Sequence, residues 1–159
     1  LLNYYYRSKE KLFNEIMSET LFTFLSSIVS IYNDTNTSLE EKLQNLTSSY
    51  IDQIIEQPEI PVFVLSELRA NPDKFMSIMA KTENLQDSVL FQQIQAHLDE
   101  KGIKENPIHM LLNTMGMILF PFIATPLLKR ITHVDDEQFK MLMHERKKMI
   151  TNWIMKIMT

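Results

Sequence analysis

Gly102 and Gly116 are the only glycines in 159 residues, and this scarcity narrows the fold more than any other feature of the chain. Tight hairpins and phosphate-cradling loops both depend on a residue that reaches positive φ without steric cost. A chain nearly free of that residue is not assembled from hairpins. Its apolar residues instead recur at intervals of three and four, the period of a helix with one buried side. An all-α fold of six to seven helices is therefore expected. Hydrophobic residues at 45% and charged residues at 23% are enough to fill the core of one compact domain and argue against disorder.

The helix boundaries are written in capping residues. Ser8 reads as the N-cap of a first helix starting at Lys9, with Glu10 near the positive end of its dipole. The apolar positions Leu12, Phe13, Ile16, Met17, Leu21, Phe24, Leu25, Ile28 and Tyr32 carry that helix to about Asn33. The polar stretch 33–38 is a loop. It ends in Ser38, which forms an S-x-x-E capping box with Glu41. A second helix then runs to about Gln57, with Leu39, Leu43, Leu46, Tyr50 and Ile54 on its inner face. A short helix follows over Val62 to Ala70. Asn71 and Pro72 open the next, which reaches about Lys101, with a break expected near 82–87, and stops at Gly102. Asn106 and Pro107 open a further helix, and Asp135 with Gln138 caps the last one.

The segment Ile108 to Leu128 runs 21 residues without Lys, Arg, Asp or Glu, the length of a bilayer span. His109, Asn113, Pro121 and Pro126 argue against that use, because each proline frees backbone groups that lipid cannot satisfy. A helix covered by its own chain or by a partner subunit is expected instead. The chain is read as cytoplasmic, with no membrane partner.

Two seams close the sequence. Phe139, Met143, Arg146, Ile150, Trp153 and Ile157 are spaced alternately by four and three, as are Ile108, Leu112, Met115, Leu119 and Phe122. Heptad spacing marks an apolar stripe that a neighbouring helix must cover. The two helices would close a four-helix bundle with the same pair from a second copy, giving a homodimer with Leu112, Met115, Leu119, Phe122, Phe139, Met143, Arg146, Ile150 and Trp153 in its interface. The alternative is that both seams bury in the chain's own core. Eleven methionines suit an interior that repacks around apolar ligands. Phe63, Phe91, Met110, Thr114 and Phe120 are the expected pocket, with Glu67 and Arg69 as candidate polar anchors.

Catalytic and metal-binding patterns do not emerge. There is no cysteine, His97, His109, His133 and His144 share no ligand spacing with carboxylates, and no glycine-rich phosphate loop or nucleophile elbow occurs. No enzymatic activity, metal or cofactor is expected. The formal charge of -4 leaves any contact with nucleic acid to a local feature.

That local feature is the opening stretch NYYYRSKEKLF, residues 3–13. Leu2, Tyr5, Tyr6, Ser8, Lys9, Glu10 and Leu12 match the pattern L-Y-x-H/Y-F-x-S/N-K-E-x-L, in which a recognition helix ends and a long helix begins. The stretch resembles this junction in TetR-family (tetracycline-repressor-like) transcriptional regulators. Asn3 and Tyr6 depart from the tyrosine and phenylalanine usual there. The resemblance implies that residues 1–7 are the end of a helix-turn-helix domain and residues 8–159 a ligand-binding and dimerisation domain. It also implies that Tyr5 and Lys9, with Tyr4, touch the DNA backbone. The implied activity is one-component transcriptional regulation, read here as repression. A double-stranded operator would be bound through a helix-turn-helix upstream of Leu1, and a small apolar or amphipathic effector would enter the helical domain. The alternative is a carrier of lipids or other hydrophobic ligands on the same fold that never contacts DNA.

Overall fold

The computed structural model describes residues 2–79 and 85–159, and among them no residue is in a strand. The helices are α1 (Leu2–Tyr32), α2 (Leu39–Glu56), α3 (Ile60–Ala70), α4 (Pro72–Met79), α5 (Val89–Lys101), α6 (Pro107–Ile123), α7 (Thr125–Thr132) and α8 (Asp136–Ile157). A 3-10 turn at Leu85–Asp87 precedes α5. Residues 80–84, where part of the expected break falls, lie outside the described residues. The helix expected over 72–101 is two helices, because Ser88 turns extended and its hydroxyl accepts from the Phe91 amide, opening α5.

Helix α2 lies at the centre, packed on α1, α5, α6 and α8. All five positions expected on its inner face, Leu39, Leu43, Leu46, Tyr50 and Ile54, are buried. They meet Ile94 and Leu98 from α5, Met110 and Ile118 from α6, and Ile150 and Ile154 from α8 in one core. Burying each such side chain contributes about 1.5–3 kcal/mol. Four of the expected caps are in place, while Asn71, read as opening the helix at Pro72, ends α3 with its amide bonded to Glu67 O. Ser38 and Glu41 make both bonds of their box, as do Asp135 and Gln138. Asn106 accepts from the Ile108 amide, and Gly102 ends α5 at φ 69°.

The structure corrects the sequence reading at both ends of the chain. Ser8 caps nothing: α1 runs unbroken from Leu2 through Ser8, since neither glycine nor proline lies nearby and an interior serine costs a helix only a few tenths of a kcal/mol. Residues 3–16 include no buried side chain, and Met17 is the first residue of α1 in the core. About 21 Å of helix therefore carries no core contact of its own. At the other end, the single uncharged helix is split in two. Helices α6 and α7 meet at a bend of 70°. Pro126 cannot donate to the carbonyl of Phe122, four residues back, and the Thr125 hydroxyl donates to that oxygen instead at 2.8 Å.

Pro121 leaves a second gap inside α6, at the carbonyl of Met117. Here the replacement donor comes from another helix. A terminal guanidinium nitrogen of Arg146, on α8, donates to Met117 O at 2.8 Å, and the guanidinium lies 5.4 Å from the centroid of the Trp153 ring. Burial pulls the Arg146 pKa below its usual value. Helix α8 is tied to α2 as well, through Lys147 and His144 facing Asp52.

A fully buried lysine fastens the far end of α1. Lys42, on α2, shows no exposed surface. Its ammonium donates to the carbonyls of Asp34 and, more weakly, Ile31 at 3.5 Å, and to the Thr37 hydroxyl at 2.6 Å. A cation among the last carbonyls of a helix is favoured by the helix dipole, although desolvation lowers the lysine's pKa, partly offset by Asp34. From α5, Gln93 donates to Thr37 O at 2.9 Å and the Val89 amide donates to Asn33 at 3.3 Å. The 33–38 loop is thereby fixed from two sides.

Candidate functional site

Two exposed surfaces stand out from the packed body, and the first is the overhanging half of α1. Helical spacing without a covering neighbour leaves Tyr4 81%, Tyr5 65% and Tyr6 62% exposed. Lys9 lies one turn beyond Tyr5 on the same side of the helix, and both are in solvent. Tyr4 is directed elsewhere around the axis, on the side of Arg7 and Lys11. Leu12 and Ile16 extend the Tyr5–Lys9 side as an uncovered apolar stripe. Helix α3 reaches the overhang through one aromatic contact, with Phe63 edge-on to Phe13 at 6.4 Å between centroids.

The second surface is the outer side of α6 with the adjoining flank of α8. No charged residue occurs anywhere in α6, and Ile108, Leu112 and Phe120 are exposed while Met115 and Leu119 are half-buried. On α8 the matching flank presents Leu142, Arg146, Met149 and Trp153. The expected interface residues divide between this surface and the interior. Leu112, Met115, Leu119, Arg146 and Trp153 lie on the outer face. Phe122, Phe139, Met143 and Ile150 are buried in the chain's own core, where Phe122 and Phe139 stack edge-on at 6.0 Å. Their apolar area is already spent inside one copy. Leu142 and Met149 take their places on the outer flank, and both lie outside the heptad seam read from the sequence.

The residues expected to form a ligand pocket are dispersed. Met110 and Thr114 are buried neighbours on α6, with the Thr114 hydroxyl donating to Met110 O at 2.7 Å. Phe63 and Phe91 are half-buried on α3 and α5, and Phe120 points to solvent at 62% exposure. Arg69 is exposed and Glu67 half-buried. Two clefts among the described residues lie elsewhere. One, of about 650 Å³, is an open groove along the polar side of the α1 overhang, bounded by Arg7, Lys11, Asn14, Glu15 and Ser18. The other, of about 340 Å³, lies between α1 and α2 against Thr23, Phe24, Gln53 and Glu56. Neither touches the five expected residues.

Among the described residues, no group of three or more His, Asp or Glu is placed to hold a metal ion. His97 spends its Nε2 on Met158 O at 3.2 Å. No single described helix is long and apolar enough to cross a membrane, and α6 with α7 meets that measure only as a bent pair. No family of known proteins, no curated protein and no solved structure matches the chain.

Proposed function

We propose that this chain is the effector-binding and dimerisation part of a TetR-like one-component transcriptional repressor. The observation that carries the reading is the α1 overhang. Its tyrosine side chains and Lys9 stand exposed, free of the core, on the helix, and such groups hold phosphate oxygens and fix register on a duplex without reading bases. A helix-turn-helix ahead of Leu1 would supply base contacts and the basic surface that a body of charge -4 lacks. The face made by uncharged α6 and the adjoining flank of α8 is where a second copy would pack, so that two heads address two half-sites. An apolar effector would act by binding one arrangement of the heads better than the other, each 1.4 kcal/mol of difference being about tenfold in operator affinity.

The test uses the product of the complete reading frame and a labelled duplex from the region upstream of its gene, followed by fluorescence anisotropy across a salt series. Lys9→Ala is expected to weaken binding evenly across sequences and to reduce the salt slope by about 1, the signature of one lost phosphate contact. Absence of any duplex binding, together with a lipid-like molecule retained in mass spectra of the purified protein, would instead favour the carrier.

A further inference from the structure

The outer flank of α8 is complementary to itself when read backwards. In an antiparallel pair of identical helices related by a two-fold axis, residue i meets the partner residue whose number completes a fixed sum. With the axis between Glu145 and Arg146, Leu142 meets Met149, Gln138 meets Trp153, Glu145 meets Arg146 and Asp135 meets Lys156. Every charged residue in this set faces the opposite sign, Leu142 and Met149 face each other, and Trp153 faces the amide side chain of Gln138. Moving the axis by half a heptad, to Met149 itself, sets Leu142 against Lys156 and Glu145 against Trp153.

Every residue of the set is exposed or half-exposed. Among the described residues, Glu145, Arg146 and Lys156 form no ion pair within the chain. Among the described residues Arg146 meets Met117 O and the Trp153 ring, which leaves guanidinium donors for a carboxylate. A half-buried cation with no anionic partner among the described residues, beside the exposed Leu142 and Met149, is an arrangement that a carboxylate from a partner would complete.

We propose that a second copy of this chain docks antiparallel on α8, with the two-fold axis at Glu145–Arg146 and Leu142 of each copy against Met149 of the other. Leu112, Met115 and Leu119 of α6 flank this seam. The proposal rests on the dimer in the functional reading and specifies its register.

The chain has no cysteine, so an introduced pair reports register without background. Leu142→Cys and Met149→Cys change exposed residues and leave the core intact. Within one helix the two positions are about 10 Å apart, too far for an internal disulfide. Oxidation of an equimolar mixture of the two single variants is expected to give a covalent dimer of one chain of each, with Met149→Cys alone giving none. Glu145→Arg, which places like charges at the axis, is expected to raise the dimer dissociation constant about tenfold or more in sedimentation equilibrium. A covalent dimer from Met149→Cys alone would move the axis by half a heptad and overturn the proposed register. So would a native dimer that gives no cross-link in the mixture. A native chain that sediments as a monomer at tens of micromolar would overturn the dimer itself.

Discussion

The bond from Arg146 to Met117 O exists because of Pro121, and that causal statement can be measured. Arg146→Met keeps an unbranched apolar stem and removes the donor. A hydrogen bond from a charged group is worth about 1.5–3 kcal/mol, and the stacking on Trp153 adds about 0.5–1 kcal/mol. Arg146 is only half-buried, so the lower end of the range applies and a cost of about 2 kcal/mol is expected. For a chain of this length, that corresponds to about 4–8 °C in Tm. Pro121→Ala restores an amide that can serve Met117 O from within α6. In that background Arg146→Met should cost only the stacking, about 0.5–1 kcal/mol. The coupling in the double-mutant cycle is therefore about 1–1.5 kcal/mol. Urea unfolding of the four proteins, followed by circular dichroism at constant m-value, reads it directly. Costs that add within about 0.5 kcal/mol would refute the idea that the guanidinium replaces the missing amide.

Ile150→Ala and Leu112→Ala separate the inner from the outer side of the expected interface. The first empties a fully buried site and should cost about 2–5 kcal/mol in the same unfolding assay. The second, at 62% exposure, should change stability by less than about 0.5 kcal/mol while weakening self-association in sedimentation. Lys42→Met should loosen the 33–38 loop, seen as faster amide exchange at residues 33–37 and 89–93, with global stability falling by about 1–3 kcal/mol because two good acceptors lose a charged donor. Ser38→Ala should cost about 1 kcal/mol near neutral pH. The backbone and side chain of Ser38 hold the Glu41 carboxyl below its reference pKa of 4.5. The glutamate's contribution is thus complete above that value and fades as pH falls through the lower folded one. Unfolding curves of the native and Ser38→Ala chains should draw closer on acidification without meeting, because only the hydroxyl bond to the Glu41 carboxylate titrates while the cap bond from the Glu41 amide to Ser38 Oγ does not.

What the sequence disclosed and what it concealed follow from the range of each interaction. Ser38 with Glu41, Asn106 with Pro107, Asp135 with Gln138, and Gly102 act within one turn, so their roles can be read from neighbouring letters. The inner face of α2 is equally plain, because Leu39, Leu43, Leu46, Tyr50 and Ile54 recur at helical spacing, although a central helix also buries Lys42, Thr47 and Ile51 beside that stripe. On α8 two stripes coexist, Phe139–Met143–Ile150 and Leu142–Met149–Trp153, both at intervals of four and seven. Periodicity finds such stripes but cannot say which one turns inward. Lys42 and Arg146 lay beyond local reading for a different reason: each satisfies carbonyls distant in sequence, and the need appears only once the loop or the proline gap is seen in three dimensions. The continuity of α1 through Ser8 was hidden by a capping residue that the helix simply passes. The expected pocket residues share central places along their helices, but place along a helix does not fix the direction in which a side chain faces, and they are dispersed for that reason.

Helix α1 behaves mechanically as a cantilever. Lys42 and the core clamp it from Tyr32 back to Met17, and the remaining span carries its aromatic tip well clear of the support. A tilt of about 10° at the clamp displaces that tip by about 4 Å over the 21 Å span, comparable to the rise of one base pair. Because α1 is one unbroken helix, its clamped part, about 22 Å long, swings by a comparable distance, so the tip is repositioned only together with the core packed around that part.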